Sequence, residues 1–221
     1  MEKKKVGSSR KATTVGSLPK RAGSKPETMT GTKEKSSLVT GDRRTQLLNH
    51  AARLFSESGF DQTSMRDIAA AFGILPGSLY HHFGSKEELF IAVYIAGVNR
   101  FVEKVEAAAA QFTDPWARLE AACVAHLEEL LMQDSPAAAV LADRCATTSK
   151  ELRKTLIKER DRYETIFKAL TDAVDLPKGV QTRYFRLGLL GALNWSLTWF
   201  QDGGDKPAVI ARHLLASFRP K

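Results

Sequence analysis

From Gly41 onward, apolar side chains recur at intervals of three and four residues, the spacing that gathers them on one face of an α-helix. Between Asp42 and Ser58 that face is Leu47, Leu48, Ala51, Leu54 and Phe55, with Asp42 as a cap and Gly59 as a stop. Thr63-Ser64, with Asp67 in the following turn, opens a second, short helix whose inward face is Met65, Ile68, Ala69 and Phe72. Gly73 interrupts it, and Ile74 and Leu75 make a turn. Pro76 then starts a third helix, because the N–H that proline lacks would have no intrahelical partner there. This helix runs to His82, with Leu79 pointing inward and Phe83 closing it.

Longer periodic segments follow. The pattern predicts helices over Lys86 to Ala110, Pro115 to Met132, a short piece from Ala137 to Arg144, then Lys150 to Val174, Val180 to Phe200 and Pro207 to Phe218. Leu176-Pro-Lys-Gly179 and Asp202-Gly-Gly-Asp205 are the clearest breaks. The predicted fold is all-α: a three-helix head over 41–88 and a helical body over 89–221. Between Tyr184 and Phe200 apolar residues cover more than one helical face, so that helix needs burial on two sides, and a second subunit supplies the other side most simply.

Charge adds a third region. The 221 residues carry 33 Lys+Arg and 25 Asp+Glu, a formal net charge of +8. Residues 1–40 hold ten of the basic and three of the acidic side chains, leaving 23 against 22 for the rest. Rich in Ser, Thr, Gly and Lys, that segment is too poor in large apolar residues to offset its ordering entropy and is expected to be a disordered basic tail. It reads either as a solubilising extension or as an arm that neutralises DNA phosphates. The chain has no apolar run of about 18 residues and no apolar segment behind its basic start, which predicts a cytoplasmic protein without a membrane partner. Two cysteines, Cys123 and Cys145, make neither a disulfide framework nor a zinc cage.

Two short helices around one glycine form a helix-turn-helix signature, with Ala69 small enough for close helix approach and Ile68 and Leu79 packing between them. A seven-residue third helix is about 10 Å long and fits a major groove about 12 Å wide. Its outward side chains, Gly77, Ser78, Tyr80, His81 and His82, lack the charges usual on a solvated face and suit close approach to phosphates and base edges.

The run Thr63 to Phe90, TSMRDIAAAFGILPGSLYHHFGSKEELF, resembles the DNA-binding segment of the TetR family of bacterial transcriptional regulators. The cap, the Ile-Ala pair, the glycine turn, Gly-x-Leu-Tyr-x-x-Phe and Ser-Lys-Glu-Glu-Leu all stand in register. Phe72 departs from the small residue usual in the family, and Pro76 from a polar or basic one. The resemblance implies that Thr63 contacts a phosphate through its hydroxyl and helix N-terminus, that Gly77 admits the DNA backbone, and that Ser78 and His81 face base edges or sugar. It also implies that Tyr80 and His82 bind phosphate oxygens and that Lys86 holds a phosphate as a point charge. The partners implied are a palindromic double-stranded operator, a second copy of the chain and a small hydrophobic effector whose binding releases the DNA, with no cofactor.

For the body, the expected ligand-binding residues are Phe101, Trp116, His126, Arg162, Phe167, Trp195 and Trp199, along with Phe112. Core packing is the competing reading for these aromatic residues. The expected dimer interface is Gly188, Gly191, Ala192, Leu193, Leu214 and Phe218, with Leu215. The block Lys158 to Phe167 and the segment Gly191-Ala-Leu-Asn-Trp195 resemble the TetR-type regulators that sense acyl-CoA thioesters. Arg153, Lys158, Arg160 and Arg162 are candidates for CoA phosphates, or else partners of the interleaved Glu151, Glu159, Asp161 and Glu164.

Catalysis has little support, since no nucleophile elbow, phosphate loop or dinucleotide fingerprint occurs. Metal binding has little more: His81 and His82 lie about 100° apart on a helix, and Cys123-x-x-His126-x-x-Glu129 has no matching set elsewhere. The alternative to a ligand-responsive repressor is an effector-independent or nucleoid-type DNA-binding protein.

Overall fold

A computed structural model describes residues 36–131 and 149–219, with side chains described from residue 43. Most of the basic tail, the predicted short helix at 137–144 and Cys145 lie outside the described residues. Among the described residues the regular structure is all helical, without strands: α1 (Ser36–Ser58), α2 (Met65–Phe72), α3 (Pro76–His82), α4 (Lys86–Ala109), α5 (Pro115–Leu130), α6 (Lys150–Asp172), α7 (Thr182–Trp195), a 3-10 turn (Ser196–Thr198) and α8 (Pro207–Phe218). None of these helices is long and apolar enough to cross a membrane.

Most predicted boundaries hold to within a turn. Two do not. The first helix begins at Ser36, so Asp42 lies inside it and is not its cap. The helix expected to reach Phe200 ends at Trp195 and tightens into the 3-10 turn. There Ser196 Oγ donates to the Leu193 carbonyl at 2.6 Å and Thr198 Oγ1 to the Trp195 carbonyl at 2.7 Å, so side-chain hydroxyls compete for the carbonyls a continuing helix would use.

The apolar faces close into two main cores. In the head, Leu47, Leu48, Ala51 and Phe55 of α1 pack with Ile68 and Ala69 of α2, Leu79 of α3 and Leu89 and Phe90 of α4. Phe55, Phe60 and Phe90 meet with ring centroids 5.0 to 5.8 Å apart, two of the three pairs edge to face. In the body, the later part of α4 joins α5, α6, α7 and α8 around Leu119, Cys123, Leu127, Phe167, Leu189 and Leu193. Burial also raises the pKa of the Cys123 thiol.

The sixth helix takes part in both cores. Leu152, 2% exposed, is inserted into the head. Phe167 and Leu170, four turns further along the same helix, belong to the body core. Leu156 and Tyr163 fill the space between, against Tyr94 and Val98 of α4.

Candidate nucleic-acid interface and effector core

The head is assembled so that one face of α3 stays uncovered. Ser64 caps α2: its Oγ accepts from the Asp67 N–H at 3.2 Å, while Asp67 Oδ2 accepts from the Ser64 N–H at 2.9 Å and from its hydroxyl at 2.6 Å. Those bonds from Ser64 hold the Asp67 carboxyl below the usual carboxylate range. At the far end Gly73 has φ 74°, a left-handed conformation that glycine takes without strain, and the chain reverses there. The Ile74 N–H returns to the Ala69 carbonyl at 2.9 Å, which fixes where α3 begins. Leu79, wholly buried, anchors α3 and turns Gly77, Ser78, Tyr80, His81 and His82 outward, all exposed.

Gly77 has no role in packing. A Cβ placed on it meets no atom within 4 Å, and its backbone is ordinary helix. Glycine inside a helix costs about 0.5–1 kcal/mol relative to alanine, so the packing of the head gives no reason for it here.

Two residues expected on this face have their side chains engaged within the head. Thr63 is 3% exposed and its hydroxyl donates inward, at 2.8 Å to the Gly59 carbonyl and at 3.2 Å to that of Leu54, so it ties α2 to the end of α1. The Lys86 ammonium is likewise turned inward. It donates at 2.7 Å to the Phe60 carbonyl and at 3.4 Å to that of Asp61, 4.3 Å from the centre of the Phe60 ring.

The structure adds basic groups that periodicity does not single out. Arg43 and Arg44 of α1 line a cleft of about 410 Å³ with Phe72, Ile74, Ser78, His82 and Phe83, and the Arg44 guanidinium lies 5.5 Å from the Phe83 ring centre. Two cations thus stand beside the uncharged face of α3. The sequence signal was an arginine pair off the apolar stripe of α1, but nothing in it specified which helix the pair would meet. Phe72, the departure from small, reaches this cleft and packs edge to face on His50 at 5.4 Å.

In the body, three of the seven expected ligand residues converge and four do not. His126, 1% exposed, stacks on Phe101 at 5.1 Å and meets Phe167 edge to face at 5.8 Å. Its Nδ1 accepts from the Tyr163 hydroxyl at 2.7 Å and its Nε2–H donates to Asn194 Oδ1 at 3.0 Å, the neutral tautomer that serves both partners. Burial drives the His126 pKa down to about 4, with the Asn194 bond opposing only in part. Burial likewise raises that of Tyr163.

The remaining four lie elsewhere. Trp116 stands edge to face with Phe185 at 6.1 Å beneath Arg219. Trp195 and Trp199 are 64% and 45% exposed. Arg162 pairs with Glu159 at 2.9 Å and Asn99 at 2.6 Å on the surface. Phe112 is also exposed. Trp195 misses the core because two residues along a helix rotate by about 200°, and Leu193 already points inward.

The residues expected at the dimer interface divide between the core of the single chain and its surface. Leu193 is fully buried in its own subunit's core. Leu215 is buried there too, while Leu214 and Phe218 pack partly against it. A Cβ on Gly188 would lie 3.1 Å from Phe218 Cε1, so that glycine serves the contact between α7 and α8 within one chain. Ala192 is half-buried, whereas Gly191 is open and exposed. The uncovered stripe of α7 is Tyr184, Leu187, Gly191 and Trp195, with 64%, 43% and 64% exposure for the three large side chains.

Glu129 and Cys123, on the same side of α5 as His126, are accounted for by packing: Arg100 Nε meets Glu129 Oε1 at 2.9 Å across α4 and α5, and Cys123 is buried.

A bihelical head with an exposed reading helix, set on a helical body with a polar cluster at its centre, defines a helix-turn-helix DNA-binding regulator. Residues 47–93 match the family model for bacterial regulatory proteins of the tetR family, and residues 113–219 match that for the tetracyclin repressor-like C-terminal domain. The chain belongs to the TetR family, whose members bind operator DNA and small-molecule effectors as dimers and are transcriptional regulators, not enzymes.

It is 34% identical over 172 residues to the HTH-type transcriptional repressor KstR2 of Rhodococcus jostii, spanning 74% of this chain and 82% of that one. Among solved structures it is similar to AibR in complex with isovaleryl coenzyme A and operator DNA, with a TM-score of 0.70, 26% identity and coverage of 79% of this chain and 97% of the other. The regulator PfmR of Thermus thermophilus gives a TM-score of 0.65 at 30% identity, covering 78% of this chain and 96% of its own.

Proposed function

We propose that this chain is a ligand-responsive repressor that binds a palindromic operator as a homodimer and is released from it by an acyl-CoA thioester. The observation that carries the reading is the dual membership of α6, which holds Leu152 in the DNA-binding head and Phe167 in the body core. An effector that rearranges the body core acts on the same rigid rod that supports the head.

The two segments that resemble acyl-CoA sensors, Lys158 to Phe167 and Gly191 to Trp195, meet at one buried ring. His126 joins Tyr163 of the first to Asn194 of the second. AibR, the similar structure solved with isovaleryl coenzyme A and operator DNA, supports the same effector class. A thioester that fits best when the two heads are spaced wrongly for DNA shifts the population away from the bound form.

On the DNA side, Gly77, Ser78, Tyr80, His81 and His82 enter the major groove while Arg43 and Arg44 flank it at the phosphates. The exposed stripe Tyr184, Leu187, Gly191 and Trp195 is the self-complementary face, and pairing across it sets two heads for half-sites about 34–36 Å apart or a multiple of that spacing. Acting on the chromosome places the protein in the cytoplasm.

The test is operator binding by the full-length chain to its upstream intergenic DNA, with isovaleryl-CoA and longer acyl-CoA thioesters added and free CoA and the free acids as controls. Release by thioesters alone is the expected result. Specific binding that no thioester weakens would leave an effector-independent regulator, and equal, salt-sensitive binding to all duplexes would indicate a nucleoid-type protein.

A further inference from the structure

We infer that Leu75 is a sequence-specificity residue of this regulator, reading the 5-methyl group of one thymine in each operator half-site. The inference rests on the head binding DNA as proposed above. Leu75 is 77% exposed, more than any other large apolar side chain among the described residues, and it sits on the turn that leads into α3, directly beside the reading face.

Folding does not account for it. The residue at this position caps α3, where Ser, Thr, Asp or Asn would bond a free N–H with the side chain and leucine belongs to the poorest class. The Leu75 side chain makes no such bond, and only its carbonyl serves the helix, accepting from Ser78 at 3.0 Å. Its neighbour Ile74 already supplies the packing into the head core. Leu75 therefore gives up a capping bond and keeps an apolar group in water.

Its backbone is set by the next residue. Pro76 disfavours the helical conformation for the residue before it, and Leu75 accordingly stands at φ −71° and ψ 140°. An apolar side chain at the edge of a groove-reading helix has one complementary feature in B-DNA, because among the major-groove edges only thymine carries a methyl group. Gly77 and Ser78 alongside add no bulk that would hold the duplex away.

The experiment starts from the palindrome that the full-length protein enriches out of random duplexes. Each thymine is replaced in turn by uracil, which removes only the methyl, symmetrically in both half-sites. For the unaltered chain one symmetry-related position should stand out, its loss weakening binding about fourfold per half-site and roughly tenfold or more in all. In Leu75→Ala, whose thermal midpoint should be unchanged or nearly so because the side chain touches solvent, the thymine and uracil duplexes should bind equally. The same uracil penalty in Leu75→Ala, or no thymine whose methyl matters, would overturn the assignment and leave the repressor reading standing. Enrichment of no palindrome at all would remove both.

Discussion

His126 on α5 and Asn194 on α7, 68 residues apart in the chain, are joined at 3.0 Å through Nε2–H and Oδ1, while the other ring nitrogen takes the hydroxyl hydrogen of Tyr163 on α6. One neutral imidazole thus holds three helices of the body together, with both ring nitrogens hydrogen-bonded.

That commitment makes stability depend on pH. The His126 pKa falls from an ordinary 6.5 to about 4 in the folded chain, chiefly through burial, so charging it favours unfolding. The stabilisation is complete above about pH 6.5 and is lost as pH falls toward about 4, amounting to roughly 3 kcal/mol. The urea midpoint measured at pH 7.5 and at pH 4.5 should drop steeply for the unaltered chain. In His126→Gln the drop should be shallower, from a lower starting point; equal slopes would remove this ring as the source.

Gly77→Ala should move stability and binding in opposite directions. The added Cβ finds open space, so the fold gains about 0.5–1 kcal/mol from lost unfolded-chain freedom. Operator affinity should fall about tenfold, or ~1.4 kcal/mol, if the proposed reading face meets DNA at Gly77, where the methyl would intrude. Thermal melts and fluorescence anisotropy on the same preparation check both signs.

Phosphate contacts differ in their response to salt. Arg44→Ala should reduce the slope of log affinity against log salt by about 1, since one ionic contact is lost. Tyr80→Phe removes a neutral donor and should weaken binding about two- to tenfold with the slope intact. A slope unchanged by Arg44→Ala would take α1 off the DNA.

Charges on α7 should separate assembly from folding. Trp195→Glu, on the exposed stripe, should give a folded monomer by light scattering, with helical content retained. Leu193→Glu buries a carboxylate in a filled core and should cost more than about 4 kcal/mol, yielding unfolded material and not monomers. A dimeric Trp195→Glu would place the interface off this stripe.

Local signals along the chain suffice for the turn between the second and third helices of the head and for their order. Ser64 with Asp67, Gly73 and Pro76 are local signals, each acting through bonds or dihedral limits within about four residues, and the turn they encode needs no distant partner. The same locality exposed α3's uncharged face and, through the family pattern, the DNA-binding function.

Packing across the head sets which partners the polar side chains near that face meet in the free chain. Thr63 and Lys86 have the chemistry of phosphate ligands, but carbonyls contributed by the end of α1 and the turn after it claim their hydrogens. Arg43 and Arg44, silent in the pattern, come beside Ser78 and His82 through packing of α1 across the head. In the body, helical periodicity located apolar residues without fixing the rotation of each helix, and about 100° per residue separates a core position such as Leu193 from a surface one such as Trp195. The meeting of His126, Tyr163 and Asn194 was illegible for the same reason: sequence spacing carries no record of contacts between helices whose relative rotation and register are set only when the core closes.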